Sequence, residues 1–329
     1  MLQRWIQQVM HPERYHGANK KKRFFEGWYY KLVDAKGKRS LAIIPGVFMG
    51  PESKDHHSFI HLLDGQSGEV DFITFPLEAF QPQQGDFSVQ LADNHFHGKG
   101  LRLQLPEQGV SGELHFSEMS PWPVTYGSPG IMGWYGWMPF MECFHGVLSL
   151  DHHIEGSIDF KGETIDFSGG RGYIEKDWGK AFPSTWIWLQ SNHFPVEGTC
   201  LTASVARIPW FGGAFRGFIM GFWHEQILYR FATYTGAKLE KLTADEQKVL
   251  WIVRDKKYRL KIEAQRGSTY GLLYAPTYQA MEPKVHEYLN AVVDVQFSEL
   301  TKGGENILFE GRGEHTGMEA EGDIHLFDD

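Results

Sequence analysis

Phe-Phe-Glu-Gly-Trp-Tyr-Tyr-Lys at residues 24–31 and Gly-Arg-Gly-Tyr-Ile-Glu-Lys-Asp-Trp-Gly at residues 170–179 are the stretches that decide the fold. Both place carboxylates beside aromatic residues that favour strands. Because side chains alternate along a strand, Glu26, Trp28 and Tyr30 share one face. So much apolar surface is unfavourable in water, so we predict that this face lines a closed interior.

The rest of the chain repeats this strand pattern. Aromatic residues make up 15% of the sequence, and 37 glycines provide turns. Strand-like runs separated by Gly, Asp and Pro follow over residues 40–116 and again over residues 200–297. We therefore predict an all-β fold, a sandwich or an up-and-down barrel. The one helix predicted is a short N-terminal one, where five apolar residues recur at helical spacing: Leu2, Trp5, Ile6, Val9 and Met10.

A weak internal repeat indicates two units. Residues 165–172 resemble residues 307–313, and each copy fits the closing strand of a β-unit. The sequence thus predicts two similar halves, residues 1–180 and residues 181–329.

Charge and cysteine content limit the partners and the compartment. The net charge of −9 argues against nucleic-acid binding, although residues 20–23 are basic. Two cysteines and an N-terminus without a signal-peptide core favour the reducing cytoplasm. No run is long enough to span a bilayer. The N-terminal helix is expected to pack on the barrel, with peripheral membrane contact as the alternative.

Three motifs carry candidate chemistry. A buried Glu26 would have a raised pKa, as a general acid requires, unless it pairs with a cation such as Arg171. Glu175 and Asp177 share a face of one strand. On the next strand, alternate positions hold Trp186, Trp188, Gln190 and Asn192, and the two side-chain amides need a ligand or a structural partner. A loop rich in Pro, Gly and Trp supplies Trp134, Trp137, Glu142 and His145, the last a possible base. Together the motifs predict one apolar pocket that holds a few ionisable groups.

Histidine pairs raise the question of a metal site. His56, His57 and His61, then His95 and His97, then His152 and His153 lie close in sequence. None has a third ligand at a recognised spacing, and no cysteine cluster supports a site. We therefore predict no metal.

Three blocks also resemble a known family, in the same order. They are residues 11–31, residues 133–146 and residues 169–192, which are similar to the opening and the central blocks of the tocopherol cyclase family. The resemblance covers mainly the first two-thirds of the chain. It implies two lipocalin-like β-units packed together and the cofactor-free closure of a chromanol ring from a prenylated hydroquinone. Asp177 stands where plant members are expected to have Asn.

The resemblance assigns roles to the predicted site. Ring closure needs a proton for an alkene, which Glu26 or Asp177 can supply with Glu175 beside them. His145, Gln190 or Asn192 can orient the hydroxyl, and tryptophan faces can stabilise the cation. The predicted ligand-binding set is Trp28, Tyr30, Trp134, Trp137, Glu142, Trp178, Trp186, Trp188, Gln190 and Asn192. Hydration of another isoprenoid double bond, or a carrier of a lipophilic ligand, remain the alternatives.

Overall fold

A computed structural model describes residues 2–327, and it is built almost entirely of antiparallel strands. One helix, α1 (Leu2–Val9), precedes β1 (Phe24–Val33), β2 (Ser40–Met49), β3 (His57–Asp64), β4 (Val70–Pro76), β5 (Phe80–Pro82), β6 (Ser88–Leu91), β7 (Asn94–His97), β8 (Gly100–Leu105), β9 (Val110–Ser117), β10 (Val124–Thr125), β11 (Ser128–Pro129), β12 (Cys143–Phe160), β13 (Glu163–Asp166) and β14 (Gly170–Gly179). The second half contains β15 (Trp186–Ser191), β16 (Cys200–Trp210), β17 (Gly213–His224), β18 (Ile227–Ala232), β19 (Lys238–Ala244), β20 (Lys248–Arg254), β21 (Tyr258–Gln265), β22 (Gly271–Pro276), β23 (Met281–Thr301) and β24 (Gly304–Glu321). The predicted all-β class with a short N-terminal helix is confirmed.

The first unit comprises the chain up to Asp64, Glu69–Phe182 and Leu273–Lys284. Its main sheet runs β4-β3-β2-β1-β14-β12-β9-β8-β7-β6-β5, with β13 beside β12. Both edge strands contribute to one core, through Phe75 of β4 and Phe80 of β5. The sheet therefore curls around its own apolar face.

The second unit comprises Gly65–Gly68, Pro183–Leu272 and the chain from Val285 onward. Its sheet runs β18-β17-β16-β15-β24-β23-β21-β20-β19. Ile187 and Leu189 of β15 point into its core, which also contains the fully buried Trp251.

The same strand order appears in both units. In each, four antiparallel strands lead to a long closing strand, β14 or β24. Arg171 of β14 pairs with Asp151, and Arg312 of β24 pairs bidentately with Asp294 at 2.9 and 2.7 Å. The repeated sequence thus lies on corresponding strands.

A buried ion pair lies inside the first unit. Glu26 of β1 and Lys176 of β14 are both inaccessible to solvent, with 2.5 Å between the carboxylate and Nζ. Nζ also donates to the carbonyls of Pro12 (2.9 Å) and Arg14, and the indole rings of Trp28 and Trp178 lie within 5 Å of it. The ion pair therefore holds the N-terminal segment against the interior of the barrel.

His16 completes this network as a neutral ring. Its Nε2 donates to the carbonyl of Gln8 (3.0 Å), which leaves Nδ1 to accept from Lys176 (2.8 Å). Its backbone N–H donates to both oxygens of Glu26, and its ring stacks on Trp178. Burial and the neighbouring ammonium lower the pKa of His16, which is consistent with a neutral ring.

The expected raised pKa of Glu26 is wrong, and its role as a general acid stays a prediction. Burial disfavours its ionised form, but Lys176 and His16 outweigh that effect and lower the pKa of the Glu26 carboxyl below its ordinary value. The structural alternative is confirmed, with Lys176 as the cation, because Arg171 is engaged with Asp151.

Helix α1 contacts the rest of the first unit through Trp5 and through the carbonyl of Gln8. The ring of Trp5 lies 5.1 Å from that of Trp137, whereas Leu2 is 67% exposed. Within residues 2–327, no helix has the length and apolar character needed to cross a membrane. Peripheral contact by this helix stays a prediction.

Removing Lys176 alone is expected to be costly. Lys176→Met leaves the Glu26 carboxylate buried without its cation, which should lower the free energy of unfolding by about 3–5 kcal/mol. The double variant with Glu26→Gln should recover part of that loss. Urea titration measures both, and Lys180→Met, at an exposed position next to the end of β14, is the control. Equal stabilities of the Lys176 and Lys180 variants would contradict a structural role for the pair.

Candidate functional site

The candidate site lies on the face of the first sheet that points away from its core. On this outer face the strand register places side chains in rows across β4, β3, β2, β1, β14 and β12. One row reads Phe72, His61, Ile44, Tyr29, Glu175 and Val147, and the next reads Thr74, Phe59, Gly46, Gly27, Asp177 and His145. The third reads Pro76, His57, Phe48, Phe25, Gly179 and Cys143.

An acid–histidine cluster occupies one end of these rows. His145 Nδ1 lies 3.0 Å from an Asp177 oxygen, and its Nε2 lies 3.7 Å from Glu175. Tyr173 donates its hydroxyl to Glu175 at 2.5 Å. Glu175 is 6% exposed, whereas the Asp177 side chain is 24% exposed. One imidazole between two carboxylates can take up, hold and release a proton.

The predicted catalytic residues are thus divided by the structure. His145, Glu175 and Asp177 come together because β12 and β14 pair His145 with Asp177 and Val147 with Glu175. Their three donor atoms lie within 4.8 Å of one another, so a divalent cation is a chemically possible occupant. Glu26 lies opposite Trp178, on the inner face of the same sheet.

The prediction that all of the motifs line one pocket is wrong for the motifs of the first unit. Within the first unit, Glu26, Trp28 and Tyr30 point into the core with Trp178, while Glu175 and Asp177 point outward. The two faces are separated by the sheet itself. Period-two alternation correctly predicted which residues of one strand share a face. Only the register between strands shows which faces of different strands lie on the same side of the sheet.

A narrow strip, formed by the partly exposed Gly27 and Ile44, adjoins the cluster. Gly27 pairs with both Asp177 and Gly46, and the Phe59 ring lies over Gly46, where a Cβ would come within 2.4 Å of it. Gly27 itself is partly exposed, as is Ile44 in the next row, although their strand neighbours are buried. An added Cβ at Gly27 would meet its nearest atoms at 3.6–3.9 Å, so the bare backbone leaves space of about one methyl group beside Asp177.

Aromatic side chains form the walls of this strip. Phe25, Phe48 and Phe59 make a buried cluster, against which further apolar residues pack: Ile44, Phe72, Cys143, Phe182 and Met281. The segment Leu273–Lys284 also belongs to this unit, and the hydroxyl of Tyr278 donates to Glu142. The walls of this strip are therefore apolar and largely aromatic.

Other predicted ligand-binding residues of the first half lie elsewhere. Trp28 and Tyr30 are fully buried in the core, and Trp178 stacks on His16 and Phe144. Trp134 is 40% exposed, in the short 3-10 helix at residues 133–137. Trp137 contacts Trp5 and donates to the carbonyl of Tyr126.

The remaining predicted residues belong to the second unit. Trp186, Trp188 and Gln190 alternate with the core residues of β15, so they point away from that core, and they are nevertheless buried. Trp186 Nε1 donates to Glu319 at 2.5 Å, and Asn192 lies 2.9 Å from the ring of His193. Their predicted contact with a ligand stays a prediction.

Comparison with known proteins places the chain in a family. The model of the family described as tocopherol cyclase-like matches residues 84–322, well over half of the chain. The chain belongs to the tocopherol cyclase-like family. The match extends through the second unit, well past the first two-thirds that the sequence motifs covered, and it begins after the opening motif at residues 11–31.

Curated members of the family are distant relatives. The chloroplastic tocopherol cyclase of Zea mays is 28% identical over 157 residues, which is 45% of this chain and 32% of that protein. A probable chloroplastic tocopherol cyclase of Oryza sativa subsp. japonica is 28% identical over 176 residues, 48% of this chain and 34% of that protein. The chain thus spans about a third of the length of the curated relatives it matches.

Solved structures share the fold at low identity. CghA aligns over 91% of this chain and 88% of its own, with a TM-score of 0.54 and 9% identity. Kievitone hydratase from Nectria haematococca aligns over 90% and 88%, with a TM-score of 0.51 and 13% identity. The two-unit, lipocalin-like β architecture is therefore common to these proteins.

Burial of two histidines predicts acid sensitivity. Burial lowers the pKa of His61 and that of His152 from 6.5 to about 3. Below pH 6.5 the unfolded chain binds protons that the folded chain does not, so stability falls with pH, by up to about 1.4 kcal/mol per pH unit for each ring. Urea titrations between pH 6.5 and 4.5 measure the slope. His61→Phe or His152→Leu should make it shallower, whereas exposed His115→Gln should leave it unchanged. An unaltered slope in both buried variants would contradict the assignment.

Filling the strip should impair binding without unfolding the protein. A Cβ at Gly27 meets its nearest atoms at 3.6–3.9 Å, ordinary contact distances, so Gly27→Ala should fold normally. It should weaken the binding of a bulky lipophile by about tenfold or more, because a tenfold rise in Kd corresponds to a loss of only about 1.4 kcal/mol of binding free energy. Tryptophan fluorescence quenching measures the affinity, and thermal melting checks the fold. Unchanged affinity would show that ligands do not use this strip.

Proposed function

We propose that the protein closes a chromanol ring from a prenylated hydroquinone without a cofactor, at the acid–histidine cluster on the outer face of the first sheet. The observation that carries this proposal is His145 between Glu175 and Asp177 beside an aromatic wall. Membership in the tocopherol cyclase-like family supports the reaction class.

The proposed reaction is an isomerisation with a balanced transfer of protons. A protonated carboxyl of the cluster adds its proton to the less substituted carbon of the trisubstituted alkene. The π electrons form that C–H bond and leave a tertiary cation. The phenol oxygen then forms the C–O bond, and its proton passes to the cluster. Nothing is oxidised or reduced, and the cluster regains its proton.

Glu175 suits the acid role and His145 the base role. Glu175 is the more buried of the two carboxyls, and the Tyr173 hydroxyl donates to it. Asp177 accepts from His145 Nδ1–H, which fixes the tautomer whose Nε2 can accept the phenol proton. Phe25 and Phe59 offer π faces to the cation. Residues on the outer face of the first sheet can therefore serve each step of the proposed reaction.

Addition of water to an isoprenoid alkene is the second candidate. It needs the same acid and the same shelter for the cation, but water in place of the internal hydroxyl. The partial exposure of Asp177 supports it, because solvent reaches this end of the strip. A hydratase also shares the fold, which is support at the level of architecture alone.

Glu175→Gln should reduce kcat for the prenylated hydroquinone by about 10²–10⁴-fold, the usual contribution of a general acid. Glu155→Gln, at an exposed position of β12, is the matched control and should keep full activity. Product mass distinguishes the candidates, since cyclisation preserves the mass and hydration adds one water. Turnover should persist in a chelator if the cluster works through protons alone.

Two outcomes would contradict the proposal. Tight binding without turnover by the unaltered protein would leave a carrier of a lipophile. Full activity of Glu175→Gln and of Asp177→Asn would place the chemistry elsewhere.

A further inference from the structure

The hairpin of β16 and β17 extends beyond the other strands of the second unit. Pairing of β16 with β15 ends at Ala206, and pairing of β17 with β18 begins at Ile219. Residues 208–215, here called the ribbon tip, therefore form a two-stranded ribbon of four residues on each side, roughly 13 Å long. A Cβ added at Gly212, in the turn, would meet no atom within 4 Å.

The ribbon tip is apolar throughout. Its sequence, Ile-Pro-Trp-Phe-Gly-Gly-Ala-Phe, contains no polar side chain. Phe211 is 82% exposed, and the ring of Trp210 meets those of Phe211 and Phe215 edge-on at 5.3 and 5.7 Å. An exposed aromatic cluster of this kind marks a surface that interacts with another apolar body.

The backbone of the turn does not explain the ring of Phe211. Phe211 and Gly212 have φ values of 43° and 84°, the left-handed region that a tight hairpin turn requires and that favours Asn, Asp and Gly. Two other hairpin turns of this chain have positive φ at the same position, where they hold Lys161 and Glu225. A bulky aromatic residue at Phe211 thus disfavours the turn and exposes a ring to water.

The charge of the hairpin is opposite to that of the whole chain. The net charge is −9, yet Cys200–His224 contains no Asp or Glu. Arg207 and Arg216 are register partners at the base of the ribbon tip, and Arg216 donates to the carbonyl of Phe327 at 2.8 Å. Like charges on facing residues are unfavourable, so an anionic partner at this level would be stabilising.

The size of the ribbon tip favours a bilayer over a protein partner. A stable protein interface buries about 800 Å² on each side. One aromatic side chain supplies at most about 150–250 Å², and Trp210 and Phe215 are already partly buried. A lipid surface needs no matching shape, and it combines an apolar interior with anionic phosphates above it.

We propose that the ribbon tip inserts into the surface of an anionic phospholipid bilayer. The Phe211 ring enters the apolar layer, Trp210 lies at the interface that tryptophan prefers, and Arg207 contacts lipid phosphates. The inference goes beyond the proposed function and does not depend on it.

The test measures binding of the whole protein to vesicles by co-sedimentation. One set of vesicles contains phosphatidylcholine and phosphatidylglycerol, and the other contains phosphatidylcholine alone. The unaltered protein should bind the mixed vesicles more tightly, and added salt should weaken that binding because it screens the arginines.

A matched pair of variants separates membrane contact from folding. Phe211→Asn should weaken vesicle binding by about tenfold or more, as expected when one aromatic ring no longer leaves water. Its stability in urea should be unchanged or higher, because Asn suits the turn. Ile227→Asn changes an apolar residue that is 52% exposed at the opposite end of β17 and should keep full binding.

A spectroscopic measurement locates the contact. Brominated phosphatidylcholine quenches tryptophans that reach the bilayer, so it should quench the unaltered protein more than Trp210→Phe, which keeps an apolar ring at that position. Leu2→Ser tests helix α1 as the alternative site of contact.

Four results would overturn the proposal. They are no binding to either vesicle, unchanged binding of Phe211→Asn, an equal loss in Ile227→Asn, or binding that Leu2→Ser abolishes and Phe211→Asn leaves intact. A dimer that dissociates in Phe211→Asn would instead assign the ribbon tip to a second copy of the chain. Vesicle binding needs no turnover, so failure of the proposed reaction is seen separately.

Discussion

The buried contact between Lys176 and Glu26 is the constraint on which the first unit depends. Each charge is costly inside a barrel, and each is stable there only because the other is present, together with backbone carbonyls and His16. The pair fixes which side chains of β1 and β14 point inward. Since alternate residues must then point outward, it also determines the placement of Gly27, Glu175 and Asp177.

The first sheet thus separates two kinds of polar group. The charged groups on the inner face form their ion pair and hydrogen bonds within the protein, and they stabilise the fold. On the outer face, the acid–histidine cluster lies beside a strip bounded by aromatic rings. An imidazole between two carboxylates can take up and release a proton, which is the chemistry that we propose for the cluster.

Local pattern and long-range register were not equally predictable from the sequence. Period-two alternation correctly placed Trp28 and Tyr30 in an interior, and the repeat at Arg171 and Arg312 predicted corresponding strands. The partner of Glu26 was missed because Lys176 lies 150 residues away and its strand neighbour is set by register. The partial exposure of Gly27 was missed because a glycine carries no polar signal. His61 was seen only as a possible metal ligand, since its pairing with Tyr274 spans 213 residues.

The division of the chain has a consequence for working with fragments. Gly65–Gly68 belongs to the second unit and Leu273–Lys284 to the first, so the polypeptide crosses from one to the other five times. A gene fragment that stops after Phe182 lacks Tyr274, the residue whose amide fixes the tautomer of His61, and lacks the carbonyl of Pro276 that accepts from Phe182. Neither half of the gene therefore encodes a complete unit, and swapping halves between relatives would exchange incomplete parts.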